Sequence, residues 1–389
     1  MIENHTYSLK ALTLYFLKLG TIGFGGPVAL VGYMYKDLVE NRKWISEEEY
    51  KQGLALAQLA PGPLAAQLGI YLGFVHYRIL GATLAGFAFV LPSFIMVVLL
   101  GVVYQLYGGL SWIQAVFYGV GAAVIGIIAL SSYKLTLKSI GRFSLDSFKS
   151  KWLLWLFFLF AALTTYSTEQ EQVLFFIAAG LLYMVIKAPA GWWNRETVNS
   201  FCLLPFAFYN YGSTRLTEIA VFFAKAGAFV FGSGLAIVPF LHSGVVTEKN
   251  WLTEQQFLDS VAVAMITPGP VVITVGFIGY LAAGFLGALT AALATFLPCY
   301  FFTIALAPYF KKIAANKSVK AFVDGITAAV VGALAGSVIV IAKRNIIDVP
   351  TIMIAAAAIF SLLYIKKVQE PHIIIIAAVL GIIIKTAGI

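Results

Sequence analysis

Twelve apolar segments follow one another along the chain, separated by short polar stretches. In the first half they lie near residues 9–35, 50–77, 79–106, 112–133, 152–168 and 172–187. In the second half they lie near 216–245, 254–284, 286–310, 321–343, 350–365 and 371–387. A helix of about 20 apolar residues crosses the hydrocarbon core of a bilayer, and runs of that order recur from end to end. The pattern therefore predicts an all-α polytopic membrane protein, multi-pass in the cell membrane, with no room for a soluble domain. The longest polar stretch, Lys134 to Lys151, is only a loop.

Composition agrees: 61% of the 389 residues are hydrophobic and 11% are charged. The net charge of +9 requires no nucleic acid as partner, because the cytoplasmic loops of membrane proteins are rich in Lys and Arg. Two cysteines, Cys202 and Cys299, are too few for a disulfide framework or a zinc site. No metal-ligand spacing, nucleotide motif or Ser/His/Asp constellation appears, so neither an enzyme nor a cofactor is expected. The first apolar segment outruns a signal-peptide core and lacks a small-residue cleavage site, which reads as a permanent span.

The chain also repeats itself. At an offset of 207 residues, "FLKLGTIGFGGPVALV" (16–31) lies over "FAKAGAFVFGSGLAIV" (223–238). In the same register Trp44 falls on Trp251, Glu47 on Glu254, and Pro61-Gly62-Pro63 on Pro268-Gly269-Pro270. After one deletion the match continues, with Gly81 on Gly287 and Pro92 on Pro298. The expected organisation is an N-terminal repeat (1–187), a linker (188–215) and a C-terminal repeat (216–389).

Pro-Gly-Pro inside a membrane segment breaks the helix, and freed backbone groups are tolerated in a bilayer only where protein or a wet cavity receives them. Charge tells whether these segments cross. With twelve crossings, the Lys and Arg outside the spans split 13 to 11 between the two sides. With 50–77 and 254–284 as re-entrant hairpins, the split becomes 19 to 5, and the basic side is cytoplasmic. The expectation is thus about ten transmembrane helices plus two re-entrant Pro-Gly-Pro hairpins. Five spans per half, an odd number, make the repeats inverted, as in transporters whose broken helices meet near the midplane.

The candidate site follows from that geometry. Pro61 and Gly62, with Gln58 and Gln67 on either side, and Gly269, with Thr267 and Thr274, would face a substrate cavity. Lys18 and Lys225 are repeat partners inside apolar segments, and paired cations there suit an anion; the competing reading is that each snorkels to an interface. Phe24, Gly25 and Gly26, and their counterparts around Gly232 and Ser233, would open the helix so that N–H groups point at an oxyanion; close helix packing is the alternative. For the two threonines the alternative is capping of the hairpin backbone. Trp44 with Glu47 and Trp251 with Glu254 read as interface anchors and helix starts. Asp259 and Asp324 read as solvated helix starts, with a coupling proton as the other option, and His76 and His242 as interfacial.

The residues "GFGGP" (23–27), "LAQLAPGP" (56–63), "FGSG" (231–234) and "ITPGP" (266–270), together with the duplication, resemble the chromate transporter family. Long members of that family are similar in having two homologous halves of opposite orientation, and they export chromate. The resemblance implies a secondary active transporter that exports an oxyanion by alternating access, with chromate as substrate and the lipid bilayer as its surroundings. The second half departs from the first: Ser233 and Gly234 stand for Gly26 and Pro27, and Met265 and Thr274 for Gln58 and Gln67. Sulfate matches chromate in charge and shape, so transport of sulfate or another oxyanion stays open, as does an anion channel using the same hairpins. The sequence allows a homodimer.

Overall fold

The structure is a computed structural model that describes residues 7–24, 26–170, 173–188, 214–229, 234, 237–310, 316–365 and 368–387. Gly25, Gly232, Ser233 and most of the linker lie outside the described residues. Among the described residues there is helix, turn and connection, and no strand. The first half contains α1 (Leu9–Ile22), α2 (Gly26–Met34), α3 (Glu47–Leu59), α4 (Leu64–Tyr107), α5 (Ser111–Ser139), α6 (Leu145–Ser150), α7 (Trp152–Thr168) and α8 (Val173–Lys187). The second contains α9 (Arg215–Phe229), α10 (Ile237–His242), α11 (Glu254–Ile266), α12 (Thr274–Leu306), α13 (Lys317–Asn345), α14 (Val349–Tyr364) and α15 (Glu370–Thr386). Four stretches, Leu64–Tyr107, Ser111–Ser139, Val271–Tyr309 and Lys317–Asn345, are long and apolar enough to cross a membrane.

The first apolar segment differs from expectation. Instead of one span over 9–35 it forms two short helices with a reversal of the chain between them, and both pack on α4. Ser8 caps α1 by accepting a hydrogen bond from the Ala11 amide (3.2 Å), and the helix ends at Gly23. Gly26 then takes φ +70°, a left-handed conformation that glycine adopts without steric cost, and the chain returns through α2 and a π-helical turn over Tyr35–Asn41. The two ends meet where Tyr7 stacks on Trp44, ring centroids 4.7 Å apart. The second half has the same element order, α9, then α10 and the π-helical turn Ser243–Glu248, and Arg215 at the start of α9 lies 5.0 Å over the Trp251 ring after that turn.

The Pro-Gly-Pro segments fold back as well. A capping box of Ser46 and Glu49 starts α3, and one of Thr253 and Gln256 starts α11. Gly62 (φ +140°) and Gly269 (φ +102°) form the tips. Gly53 then packs directly against Tyr71 and Leu68, so α3 and the start of α4 run antiparallel.

A 44-residue helix such as α4 would be roughly 66 Å long if straight. It is not straight. Tyr77 and Arg78 are non-helical, and the chain reverses there so tightly that Gly73 and Gly81 touch backbone to backbone. In α12 the same reversal occurs at Ala283 and Gly284, with Gly279 against Gly287. Arg78 (φ 53°) and Gly284 (φ 63°) are equivalent in the repeat register, as are Lys43 (φ 54°) and Asn250 (φ 50°). Each reversal divides its helix into a hairpin arm and a long second arm, 79–107 in α4 and 285–306 in α12.

The halves exchange partners. α5 packs on α14 and α15 of the other half, while α13 packs on α7 and α8. Small residues bring the backbones together: Gly119 meets Ala377 and Gly381, Gly126 meets Ala355, Gly325 meets Ala179, and Gly332 meets Phe158. The hairpins open toward opposite ends of the bundle. Tyr7, Trp44, Glu49, His76 and Tyr77 gather at one end, where the Tyr77 hydroxyl donates to the Tyr7 carbonyl and His76 lies 3.4 Å from Glu49. At the other end Trp251, Glu254, Glu169 and Arg344 gather, with Arg344 bridging both carboxylates. The outward faces carry bare apolar side chains such as Leu99, Leu163, Ile352 and Ile375, as a lipid-facing surface does.

Candidate functional site

α4 and α12 pack on each other, and the second arm of each receives the tip of the other half's hairpin. Ser93 is the middle residue of the arm 79–107, and Cys299 is its counterpart on α12. A Cβ placed on Gly62 would lie 2.8 Å from the Cys299 Cβ and 2.8 Å from Gln67 Nε2. A Cβ on Gly269 would collide with the Ser93 hydroxyl. The Gly269 amide donates to the Gly23 carbonyl at 2.8 Å, and the Ser93 hydroxyl donates to the Gly20 carbonyl at 3.4 Å. Both Pro-Gly-Pro tips thus meet mid-arm residues, and the second also meets the break between α1 and α2. Three helices, α2, α4 and α12, begin at these breaks, and a helix N-terminus carries partial positive charge.

The sequence-derived candidates divide into two groups. Gln67, Gly62, Thr267, Gly269 and Thr274 are buried, and Pro61 half-buried. Gln67 Nε2 donates to the Pro61 carbonyl at 2.7 Å, while its Oε1 has no partner among the described residues. Thr267 donates to the Ala264 carbonyl (3.1 Å) and Thr274 to the Val271 carbonyl (2.7 Å). The side-chain amide and the two hydroxyls therefore close the backbone of the breaks, which is the capping alternative. Because the glycines face protein, an added methyl there acts first on tip packing.

The second group is exposed or half-buried. Lys18 lies on the exposed stripe of α1 with Leu14, Leu17 and Ile22, opposite the buried stripe of Leu12, Phe16 and Leu19. Phe24 and Gln58 are exposed, Gly26 is half-buried, and a Cβ on Gly26 would meet open space. Lys225, the repeat partner of Lys18, is half-buried on α9.

Asp259 is the residue that sequence reasoning misplaced. The expectation of a solvated helix start fails: the side chain is only 2% exposed, one and a half turns into α11. Its carboxylate accepts a 2.6 Å bond from the Tyr104 hydroxyl, at the end of α4, and a 2.8 Å bond from Gln255 Nε2. The available signal was an acid followed by the apolar run "SVAVAMI". His242 is likewise buried, bonded to Glu254 at 2.7 Å.

The profile of the chromate transporter family matches residues 10–185 and 217–382, the two halves in turn. The chain belongs to the chromate transporter family. It is 60% identical to a chromate transport protein of Cupriavidus metallidurans, over 97% of this chain and 94% of that protein. It is 58% identical to a probable chromate transport protein of Synechococcus elongatus, over 97% and 96% of the two chains. A chromate transport protein of Pseudomonas aeruginosa is 30% identical, over 93% of this chain and 89% of that one. No solved structure matches. Membership in the chromate transporter family makes the chain a transporter rather than an enzyme, and its helices are those of a multi-pass membrane protein.

Proposed function

We propose that this protein is a secondary active transporter that moves a tetrahedral oxyanion, chromate first of all, out across the cell membrane by alternating access. The observation that carries the reading is the pair of Pro-Gly-Pro tips packed on Ser93 and Cys299, in a chain of the chromate transporter family.

In this reading the halves form inverted repeats about 1–187 and 216–389, and the Trp44 end is cytoplasmic. Lys36, Arg42, Lys43, Arg142, Lys151 and Lys320 belong to that end, against Arg215, Lys249, Lys343, Arg344 and Lys385 at the Trp251 end. The hairpins α1–α2 and α3–α4 enter from the cytoplasm, and α9–α10 and α11–α12 enter from outside. The second arms of α4 and α12 cross, as do α5, α7, α8, α13, α14 and α15, and the connection from Lys187 to Arg215 passes from the cytoplasmic to the outer side.

The oxyanion sits at the midplane, among the inward N-termini of α2, α4 and α12. Lys18 and Lys225 approach it from opposite ends and supply charge; Phe24, Gly26 and Gln58 line its approach. Pro61, Gly62, Gln67, Thr267, Gly269 and Thr274 hold the tips in place. The membrane potential favours exit of an anion by about 2.3 kcal/mol per charge per 100 mV.

Vesicles containing only this protein test the reading. Labelled chromate should accumulate transiently against internal unlabelled chromate, saturate with concentration, and yield to sulfate in proportion to sulfate's own affinity. Flux that never saturates would mean a channel. Counterflow with sulfate but not chromate would move the substrate to another oxyanion.

A further inference from the structure

Asp259 has no counterpart in the first half. In the repeat register its position is held by Gln52, and that of Tyr104 by Phe310. The structure keeps the register in space: Gln52 and Phe310 line one shallow groove at the Trp44 end, as Asp259 and Tyr104 meet at the Trp251 end. Gln52 bonds sideways, to Glu48 at 2.9 Å, and Phe310 offers no hydroxyl. One end of an otherwise repeated framework therefore holds a buried acid bonded to a phenol across two helices of opposite halves, and the other end does not.

The surroundings of Asp259 are apolar. Phe117 of α5 and Phe277 of α12 stack edge-on against Tyr104, and Leu258 packs toward Gly121. The charged groups on elements packed with α11 are His242 and Glu254 with Arg344 at its outer end, Glu248 and Lys249 on the turn before it, and Asp348 and Lys385 around Tyr118. The hydrogen bonds to Asp259 among the described residues come from Tyr104 and Gln255, neither of them a cation. A buried carboxylate without a cation is costly, and protonation removes that cost.

We propose that Asp259 is a proton-binding site of the transport cycle, loaded from the Trp251 end, and that its bond to Tyr104 latches α11 to α4 there. The inference rests on the transporter reading above. A proton from the outer solution binds the carboxylate, and the charge-assisted bond to the phenol becomes a neutral one. The weakened latch lets α11 swing from α4, the site opens outward, and the oxyanion leaves. The proton departs to the cytoplasm when the site faces inward, so one proton enters per cycle. The amide at position 52 cannot take up a proton in this range, so the inner end opens without one.

Two measurements test this. The first needs no substrate: infrared titration of the purified protein in lipid should show the carbonyl band of a buried, protonated carboxyl that rises on acidification, is absent in Asp259→Asn, and titrates at a shifted pH in Tyr104→Phe. A titration identical in wild type and Asp259→Asn overturns the proposal. The second uses chromate in vesicles with the potential clamped. One unit of pH difference changes the proton ratio tenfold, so a one-proton antiporter should shift its steady-state chromate ratio by about tenfold. Asp259→Asn should show no shift, and Asp259→Glu should retain one. A wild-type ratio that ignores pH overturns the coupling, while failure of chromate counterflow at equal pH strikes the substrate reading and leaves the infrared result to decide on Asp259.

Discussion

The Gly269 amide donates a 2.8 Å hydrogen bond to the Gly23 carbonyl, so the hairpin tip of one half is fastened to the helix break of the other. The bond ties together two chain irregularities that, apart, would each leave backbone groups unpaired in the membrane. It also explains why small residues occur at both places: the tip enters between Gly20 and Ser93 with no room for a side chain.

Substitution at this joint should act on stability before it acts on transport. Gly269→Ala places a methyl group on the Ser93 hydroxyl and a side chain on a backbone at φ +102°. Overpacking of this kind costs about 1–3 kcal/mol, and the strained backbone adds to it. Thermal unfolding in detergent should show a clear drop for Gly269→Ala and partial recovery for Gly269→Ala with Ser93→Gly. Equal loss in the single and double variants would mean that Ser93 is not what the methyl meets.

The reversal of the chain between α1 and α2 makes a topological prediction. In a background without Cys202 and Cys299, single cysteines at Ser8, Asn41 and Arg142 should react with an impermeant thiol reagent from one side of the membrane, and Ser111→Cys from the other. Opposite labelling of positions 8 and 41 would restore a single span over 9–35.

Lys18 and Lys225 should matter to transport and not to folding. Neither lies in a fully buried place, so Lys18→Gln and Lys225→Gln should express and melt as the parent does. Each should lower chromate counterflow at least tenfold, which corresponds to about 1.4 kcal/mol, the scale of a single charge-assisted hydrogen bond. Near-normal flux in the double variant would leave both lysines as interfacial anchors.

Acid should loosen the Trp251 end. Burial by itself would raise the Glu254 carboxyl, but hydrogen bonds from His242 and Asn345 and the charge of Arg344 hold it below its ordinary value. A carboxyl lowered in the folded state adds stability above its unfolded pKa and loses it as pH falls through the folded one. The melting temperature should therefore drop on acidification below the ordinary carboxylate range, and the drop should be smaller in Glu254→Gln, which starts from a lower value at neutral pH. Parallel curves for the two proteins would show that the network contributes nothing to stability.

Much of this protein was determined by the order of its residues alone. Long apolar runs can only be helices in a bilayer, because no other local structure satisfies its own backbone there. Trp, Glu and Pro-Gly-Pro recurring in one register reveal the duplication, and Glu47 and Glu254 mark the starts of α3 and α11. Hydrophobicity, however, is blind to direction. The run over 9–35 is equally apolar whether it crosses or folds back, and only the meeting of Tyr7 with Trp44 decides for the second. Partner exchange between the halves is equally silent in the sequence, since Gly119 and Gly325 advertise close packing without naming the helix that approaches. Asp259 is the sharpest case. Its position near a helix start suggests water, but burial depends on α4 and α5 arriving from elsewhere in the chain, and the tertiary structure alone places Tyr104 on its carboxylate. Local pattern sets what each segment can be; contacts between segments distant in sequence set which side of each one water never reaches.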